Sequence, residues 1–529
     1  MDGHSITRAA GLIARVGART LGSLIDAGVR LSPNDRMMLR TSFRSGLFLS
    51  SALPLGALFL AVSGAGCAET IREYDTGSGG SGSSSSSSGA GGVGGVGGGD
   101  VGGAGGSGGV GGAPPLECMP GQPFYAGPLC GDPSMPCKLL TDEMLQSPPS
   151  FRNDAPAVAA DPNCEPQIMY STAEGGFKGF YAKRGPGNAQ FVEEQTPFPF
   201  AFGGLAVGSD GAAFALAYGG AFNVTMYRYG EGGWDAGSPL PGENLAYPRG
   251  LARSENGTLH VGARAKDDTV LYALFDPVAS SWSAAPLGSS GTAQVALAVT
   301  PAGTPHLAYW DSIPGGGGWA LFWATPGFAP EIAAPLNGNT LESASQLHSI
   351  AVAPDASSQD GAPHILMVRN VAGGNTQEIV VVLRNGGSWL ITAIDQEKVA
   401  NVKLCNFIPM NTGELCDFDY EEIFPIGIVA SQGGEVLALY NKVNRIGTMV
   451  ANCNDPMFCY WMPQSDSSTG QINVAKFKDG ALTAQGSVAV STIIQSGAAA
   501  LDTIGRVHIA LYDRLPNQGS TVRYLLLGP

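Results

Sequence analysis

Four of the six histidines stand in one repeated phrase. The copies are Asn256-Gly257-Thr258-Leu259-His260-Val261, Ala302-Gly303-Thr304-Pro305-His306-Leu307, Asp360-Gly361-Ala362-Pro363-His364-Ile365 and Ile504-Gly505-Arg506-Val507-His508-Ile509. Gly precedes His by three positions in each, and an aliphatic residue follows. An imidazole that recurs once per repeat can do two things. A ring of neutral imidazoles around an axis can hold a metal, or each can make the same backbone or inter-blade hydrogen bond. The second is expected here, because other copies of the phrase put Gln167, Phe214 and Val436 in the His place, and Phe and Val ligate nothing. His348 stands alone just before a strand and is read as structural too.

Other residues could do chemistry but lack the pattern for it. Cys416-Asp417-Phe418-Asp419-Tyr420-Glu421-Glu422 gathers four carboxylates, which suit calcium, yet the D-x-D-x-D-G loop is missing. A solvated acidic loop without metal is the expectation. No P-loop, G-x-G-x-x-G after a strand, G-x-S-x-G or H-E-x-x-H occurs. No catalytic or metal residue and no cofactor is therefore assigned.

Nine cysteines remain: Cys67, Cys118, Cys130, Cys137, Cys164, Cys405, Cys416, Cys453 and Cys459. No C-x2-C pair is present, so a zinc-thiolate site is not expected. The last eight form an even set, and an exported chain would oxidise them. Cys405 with Cys416 and Cys453 with Cys459 are the natural local pairs. Cys118, Cys130, Cys137 and Cys164 allow three connectivities, and spacing does not choose.

The elements that must position these residues repeat from about Ala155 to the end. Taking Gln167, Phe214, His260, His306, His364, Val436 and His508 as equivalent, the spacings are 47, 46, 46, 58, 72 and 72 residues. The two long gaps hold Cys405/Cys416 and Cys453/Cys459, so they read as stapled insertions on a unit of about 46 residues. Residues 203–237 show the unit: an apolar strand, an Asp-Gly turn at Asp210-Gly211, a second strand, an alternating third strand, and a fourth starting at Trp234. Trp282 and Trp389 take the place of Trp234 in other units, with Phe191 and Phe328 as substitutes. Four strands at this period predict an all-β fold, a β-propeller of seven four-stranded blades, with six or eight as alternatives. The last unit stops at its third strand, and Lys138-Leu139-Leu140-Thr141 could supply the fourth.

The phrase D-x-x-G-x-x-H-[aliphatic]-x-Y resembles the blades of sialidase-like and other exported propellers, over about residues 150–529. A sialidase-like enzyme would imply a substrate-binding Arg in the first blade, and Phe151-Arg152-Asn153-Asp154-Ala155-Pro156 is similar to that stretch, with extra residues between Arg and Pro. The Asp boxes of that family are absent, because Ser209-Asp210-Gly211 has the wrong spacing.

Ahead of the repeats stands an address. Arg36, Arg40 and Arg44 precede the apolar run Leu47–Val62, 16 residues long and shorter than a membrane span needs. Ser63-Gly64-Ala65-Gly66-Cys67 follows and resembles a bacterial lipoprotein signal, which implies an acylated Cys67; Gly64 departs from the usual aliphatic residue. Cleavage after Ala65 is the alternative. Met37 or Met38 would give the signal a conventional start, leaving 1–35 as an N-terminal extension. Residues 77–115 are almost entirely Gly, Ser, Ala and Val and cannot offset their ordering entropy. As a random coil they would reach roughly 35 Å. The expected organisation is thus 1–35 extension, 36–66 signal peptide, 67–115 lipid-anchored linker, 116–154 Cys-rich lead-in and 155–529 propeller.

The chain carries 44 acidic and 29 basic side chains, a net charge of −15, which disfavours a nucleic-acid partner. The sequons at Asn223-Val224-Thr225 and Asn256-Gly257-Thr258 carry little weight if the signal is bacterial. The functional expectation is a binding or scaffold module at the bacterial cell envelope, held to the membrane by lipid, with an unknown protein or glycan ligand and the insertions between His364 and His508 as its recognition face. The alternative is an extracellular sialidase-like glycosidase using Arg152.

Overall fold

The computed structural model describes residue 118, residues 125–130 and 137–145, and then 155–529 apart from 173–177, 186–189, 199, 219–223, 241–244, 266–267, 290–294, 315–317, 337–345, 356–357, 372–375, 398–412, 456–457, 492 and 516–518. The extension, the signal, Cys67 and the Gly/Ser-rich linker lie outside the described residues, as do Arg152 and Cys405. No helix among the described residues is long and apolar enough to cross a membrane.

The strands form seven antiparallel sheets of four or five strands, one per repeat. Blade 1 runs outward from the axis as Ala157–Ala160, Pro166–Thr172, Lys178–Lys183 and Val192–Gln195. Blades 2, 3, 4 and 5 begin at Phe200–Val207, Leu245–Arg253, Val295–Val299 and Gln346–Asp355, and blade 6 at Leu415–Ala430. Blade 7 has Ile493–Leu501, Val507–Leu515 and Gly519–Gly528, and its outermost strand is Lys138–Met144, paired from Lys138↔Gly528 to Met144↔Arg523. Each first strand packs beside the next, and that of blade 7 packs beside that of blade 1, so the ring closes. The protein is a seven-bladed β-propeller whose last blade is completed from the N-terminal side.

The core is divided into seven wedges, one between each pair of neighbouring blades. This explains the near-continuous apolar middle strands. In Pro305–Ser312 the side chains of Leu307 and Tyr309 enter the wedge toward blade 3, while Ala308 and Trp310 enter the one toward blade 5. Near the axis the wedges narrow, and backbone must meet backbone. A Cβ on Gly250 would stand 2.5 Å from Cβ of Leu297, and one on Gly427 would stand 2.8 Å from Cβ of Ala499. Small residues are required there for contact.

Three details differ from the expectations. Blade 2 has a divided fourth strand: Gly233–Trp234 and Ser238–Pro239 both pair with Val224–Gly230, with Asp235 accepting from the N–H groups of Arg228 and Gly237 at 3.0 Å. Phe328 does not substitute for the fourth-strand Trp, since it lies 67% exposed in a turn. In blade 6 the positive-φ glycine is Gly434, not Gly433, so the position equivalent to His is Leu437 rather than Val436. The extra Gly in Gln432-Gly433-Gly434 had displaced the match by one.

Candidate functional site

The repeated imidazoles are clamps inside blades. The first-to-second-strand turn has a left-handed residue three positions before the clamp, filled by Gly257, Gly303, Gly361 and Gly505, and by Cys164 in blade 1. The side chain three residues earlier caps the turn: Asp502 accepts from the N–H groups of Ile504 and Arg506, and Asp161 from those of Asn163 and Glu165. The clamp residue on the second strand then ties the turn to an aromatic residue on the third. His260 meets Tyr272 at 2.6 Å and Ser254 at 3.0 Å; His508 meets Tyr524 at 2.9 Å and Asp502 at 3.1 Å. Trp323 donates its indole N–H to Nδ1 of His306 at 3.2 Å. Gln167 does the same office in blade 1, accepting from Tyr181 at 2.8 Å. His364 departs, bonding only the Ala362 carbonyl among the contacts resolved for it, at 3.0 Å. His364 apart, these bonds run between side chains of one blade, not to the backbone or across to a neighbouring blade as expected from the repeat. His348 does bridge blades, with Nε2 2.5 Å from the Ile426 carbonyl.

The lead-in occupies the face on which these turns lie. Tyr125 packs on Gly505, its carbonyl accepts from Gln432 N at 2.6 Å, and Leu129 N donates to the buried carboxylate of Glu435 at 2.8 Å. Two disulfides fix it, Cys118–Cys164 and Cys130–Cys137, which selects one of the three connectivities. Cys416 is also disulfide-bonded; its expected partner, Cys405, lies outside the described residues, as do the side chains of Cys453 and Cys459.

The opposite face carries an arm. The first strand of blade 6, Leu415–Ala430, starts well beyond the blade and ends at the turn Ser431–Gly434; the second, Glu435–Asp455, runs back out to the same level. Phe458–Asp466 pairs with the outer half of Glu435–Asp455 and makes the arm three-stranded. The acidic run is therefore a strand in register with Val443–Met449, not the solvated loop that its charge suggested. Asp417 and Asp419 stand on its exposed face, and Asp417 accepts from Thr448 Oγ1 at 2.7 Å. Glu422 pairs with Arg445 at 2.7 Å, and Lys442 reaches Glu421 at 3.2 Å. No group of three or more metal-ligating side chains is assembled among the described residues.

At the arm's base the sequence reading missed a polar junction with blade 5. Lys442 also bonds Asp395 at 2.8 Å, and Tyr440 donates to Asp395 at 3.1 Å and accepts from Gln485 at 2.7 Å. The carboxylates hold Lys442 above its ordinary pKa against the pull of burial. Glu397 lies at the end of the outer strand of blade 5 and accepts from Gln377 N at 2.8 Å. Burial pushes its carboxyl up to about 7, helped by Glu422 and Glu421 and opposed by the N–H groups of Gln377 and Ile423. Glu397 and its neighbours stand on either side of the Cys405/Cys416 insertion, so no motif announced them.

No protein-family model matches the chain, and no curated protein matches it. Several solved structures are similar at the level of fold. They include a polysaccharide lyase, Uly1, at 8% identity over 77% of this chain and 97% of that one, with a TM-score of 0.41. They also include the SapL1 lectin in complex with alpha methyl fucoside, at 11% identity over 60% and 96%, TM-score 0.31. The third is the β-propeller domain of the Trilobed protease from Pyrococcus furiosus, described as having an open velcro topology, at 9% identity over 69% and 93%, TM-score 0.34. Likeness at this distance assigns no activity, and the propeller architecture stands on the strand order of the chain itself.

Proposed function

We propose that the chain is a binding module displayed at a bacterial cell envelope, anchored through Cys67, whose ligand docks on the arm-bearing face. The observation that carries this reading is the asymmetry of the ring. One face is covered by a disulfide-fixed lead-in over the turns of blades 6, 7 and 1. The other bears a three-stranded arm that no blade needs for its own core, with Asp417 and Asp419 exposed. Variable segments on a rigid frame are where propellers and other scaffolds carry recognition. The ligand class in this reading is a protein or a glycan. The anchor is tested by envelope fractionation of the wild type and Cys67→Ala. Loss of the variant to the soluble fraction is expected; retention in the membrane fraction would sink the anchor. Photo-crosslinkers placed at Asp419 on the arm and at Arg506 on the turn face test the docking side, with adducts expected from Asp419.

A second reading rests on Glu397. A half-buried carboxyl raised to about 7, beside Glu421 and Glu422, has the protonation behaviour of a general acid in glycan cleavage. It predicts turnover of an envelope or extracellular polysaccharide that Glu397→Gln abolishes. Wild-type inertness toward such substrates would remove it.

A further inference from the structure

Cys118 is bonded to Cys164, 46 residues further along the chain. Everything between them lies inside one covalent loop: the strap across the turn face, the smaller Cys130–Cys137 loop, and the ring-closing strand Lys138–Met144. The consequence for tension is topological. Suppose force reaches the propeller along the residues that precede Cys118. If no disulfide were present, the force would travel down the strap to Lys138. Lys138 is the first paired residue of the closing strand and lies opposite Gly528. A pull there would peel the strand from that end, one register pair at a time, to Met144↔Arg523. Unzipping of this kind breaks few bonds at any instant, and it would leave blade 7 without its outer strand.

With the disulfide in place the force passes from Cys118 to Cys164 and never enters the closing strand. We propose that Cys118–Cys164 is a tension shunt, which delivers force arriving from the N-terminal side into the blade 1 turn and leaves the strand that closes the ring slack. The surroundings of the bond suit that role. Arg506, in the equivalent turn of blade 7, approaches Cys118 Sγ at 3.7 Å, donates to the Cys164 carbonyl at 3.2 Å and pairs with Asp502 at 2.7 Å. Thr503 Oγ1 lies 3.2 Å from Cys164 Sγ. Force entering at Cys164 is thus shared across the seam between the last blade and the first. At the hairpin side, Tyr512 of blade 7 holds the same seam, its hydroxyl accepting from Ser171 N at 2.9 Å and donating to Ser171 O at 3.0 Å. The shunt follows from connectivity and register; that a cell uses it, by pulling on the propeller through an anchor, rests on the reading given under Proposed function.

Single-molecule pulling of the full chain tests the shunt. One handle is placed on residues preceding Cys118, the other at Val278, which is 94% exposed in a turn of blade 3. The wild type should show no extension before the ring itself opens. The Cys118→Ser/Cys164→Ser double variant should show an earlier rupture at lower force that releases up to about 135 Å, the contour of some 39 residues, because Cys130–Cys137 still withholds seven of the 46. If the variant ruptures first at the wild-type force and with the wild-type increment, the shunt is wrong. Should the variant fail to fold, oxidised wild type is held at constant force and a dithiol reductant is added. For each bond cleaved the reductant becomes its own disulfide and leaves two cysteine thiols; with Cys130–Cys137 opened as well as Cys118–Cys164, an extension of up to about 160 Å should follow. Cleavage with no extension would equally overturn the proposal. Neither outcome bears on Cys67, whose anchoring is tested separately by fractionation.

Discussion

His306 settles what the recurring imidazole is for. Trp323 can only donate, so Nδ1 of His306 accepts, and the ring is neutral with its proton on Nε2. The same arrangement fits His508, with Nε2–H on Asp502 and the Tyr524 hydroxyl on Nδ1. Tyr524→Phe keeps the ring and removes the hydroxyl on His508, and should cost about 1–2 kcal/mol in denaturant unfolding; a change below 0.3 kcal/mol, roughly the noise between distant sites, would show that the clamp is only packing. Burial lowers His260 to about 4 and depresses His364 and His508 as well. Unfolded, these rings take up a proton near 6.5, while folded they resist it. Their stability contribution is therefore complete above about pH 6.5 and is lost as pH falls toward 4, on the order of 1–3 kcal/mol for His260 alone. Chemical melts across that range should show the decline, and His260→Gln should flatten part of it. The spacing of the phrase was enough to read one recurring hydrogen bond per repeat, but not that it would lie within the blade. The aromatic partner was not legible, because it stands at offsets that vary from 12 to 17 residues with hairpin length.

At the scale of the element, the closing strand and the arm were legible to different degrees. Lys138–Met144 could be anticipated because the final repeat lacked a fourth strand, a deficit that backbone hydrogen bonding must fill. A chain beginning at Arg152 should melt well below the full domain; equal melting would contradict the closure. The arm was legible only as excess length. Its charge read as loop, since four carboxylates in seven residues suit solvent better than a sheet. Alternation settled it otherwise: Cys416, Phe418 and Tyr420 turn to one side and Asp417 and Asp419 to water, while Arg445 and Lys442 offset Glu422 and Glu421. Near the axis, Gly250→Val would force a side chain into Leu297 and should cost several kcal/mol or abolish folding. The same substitution at Gly211, whose Cβ would meet nothing, should be limited to the strain of its left-handed φ.

For the whole molecule, the count of seven blades came from periodicity alone and the ring confirms it. What periodicity could not give is polarity, meaning which face is covered and which is open. That depended on the lead-in crossing the turns of blades 6 and 7 and on a disulfide joining it to blade 1, and four cysteines with three connectivities concealed it. The junction around Glu397 was hidden for a related reason, since it is assembled from a strand end, a strand start and a middle strand of two blades. The central claim is that the arm-bearing face holds the ligand. Its most direct test is thermal unfolding of the chain from residue 116 onward against envelope glycans, calcium and a chelator, in the wild type and in an Asp417→Asn/Asp419→Asn variant. A ligand at 100 times its dissociation constant should add roughly 2.7 kcal/mol of stability. The account predicts such a shift for one ligand class in the wild type and its loss in the arm variant. A shift that persists undiminished in the variant would place binding elsewhere on the ring and contradict it.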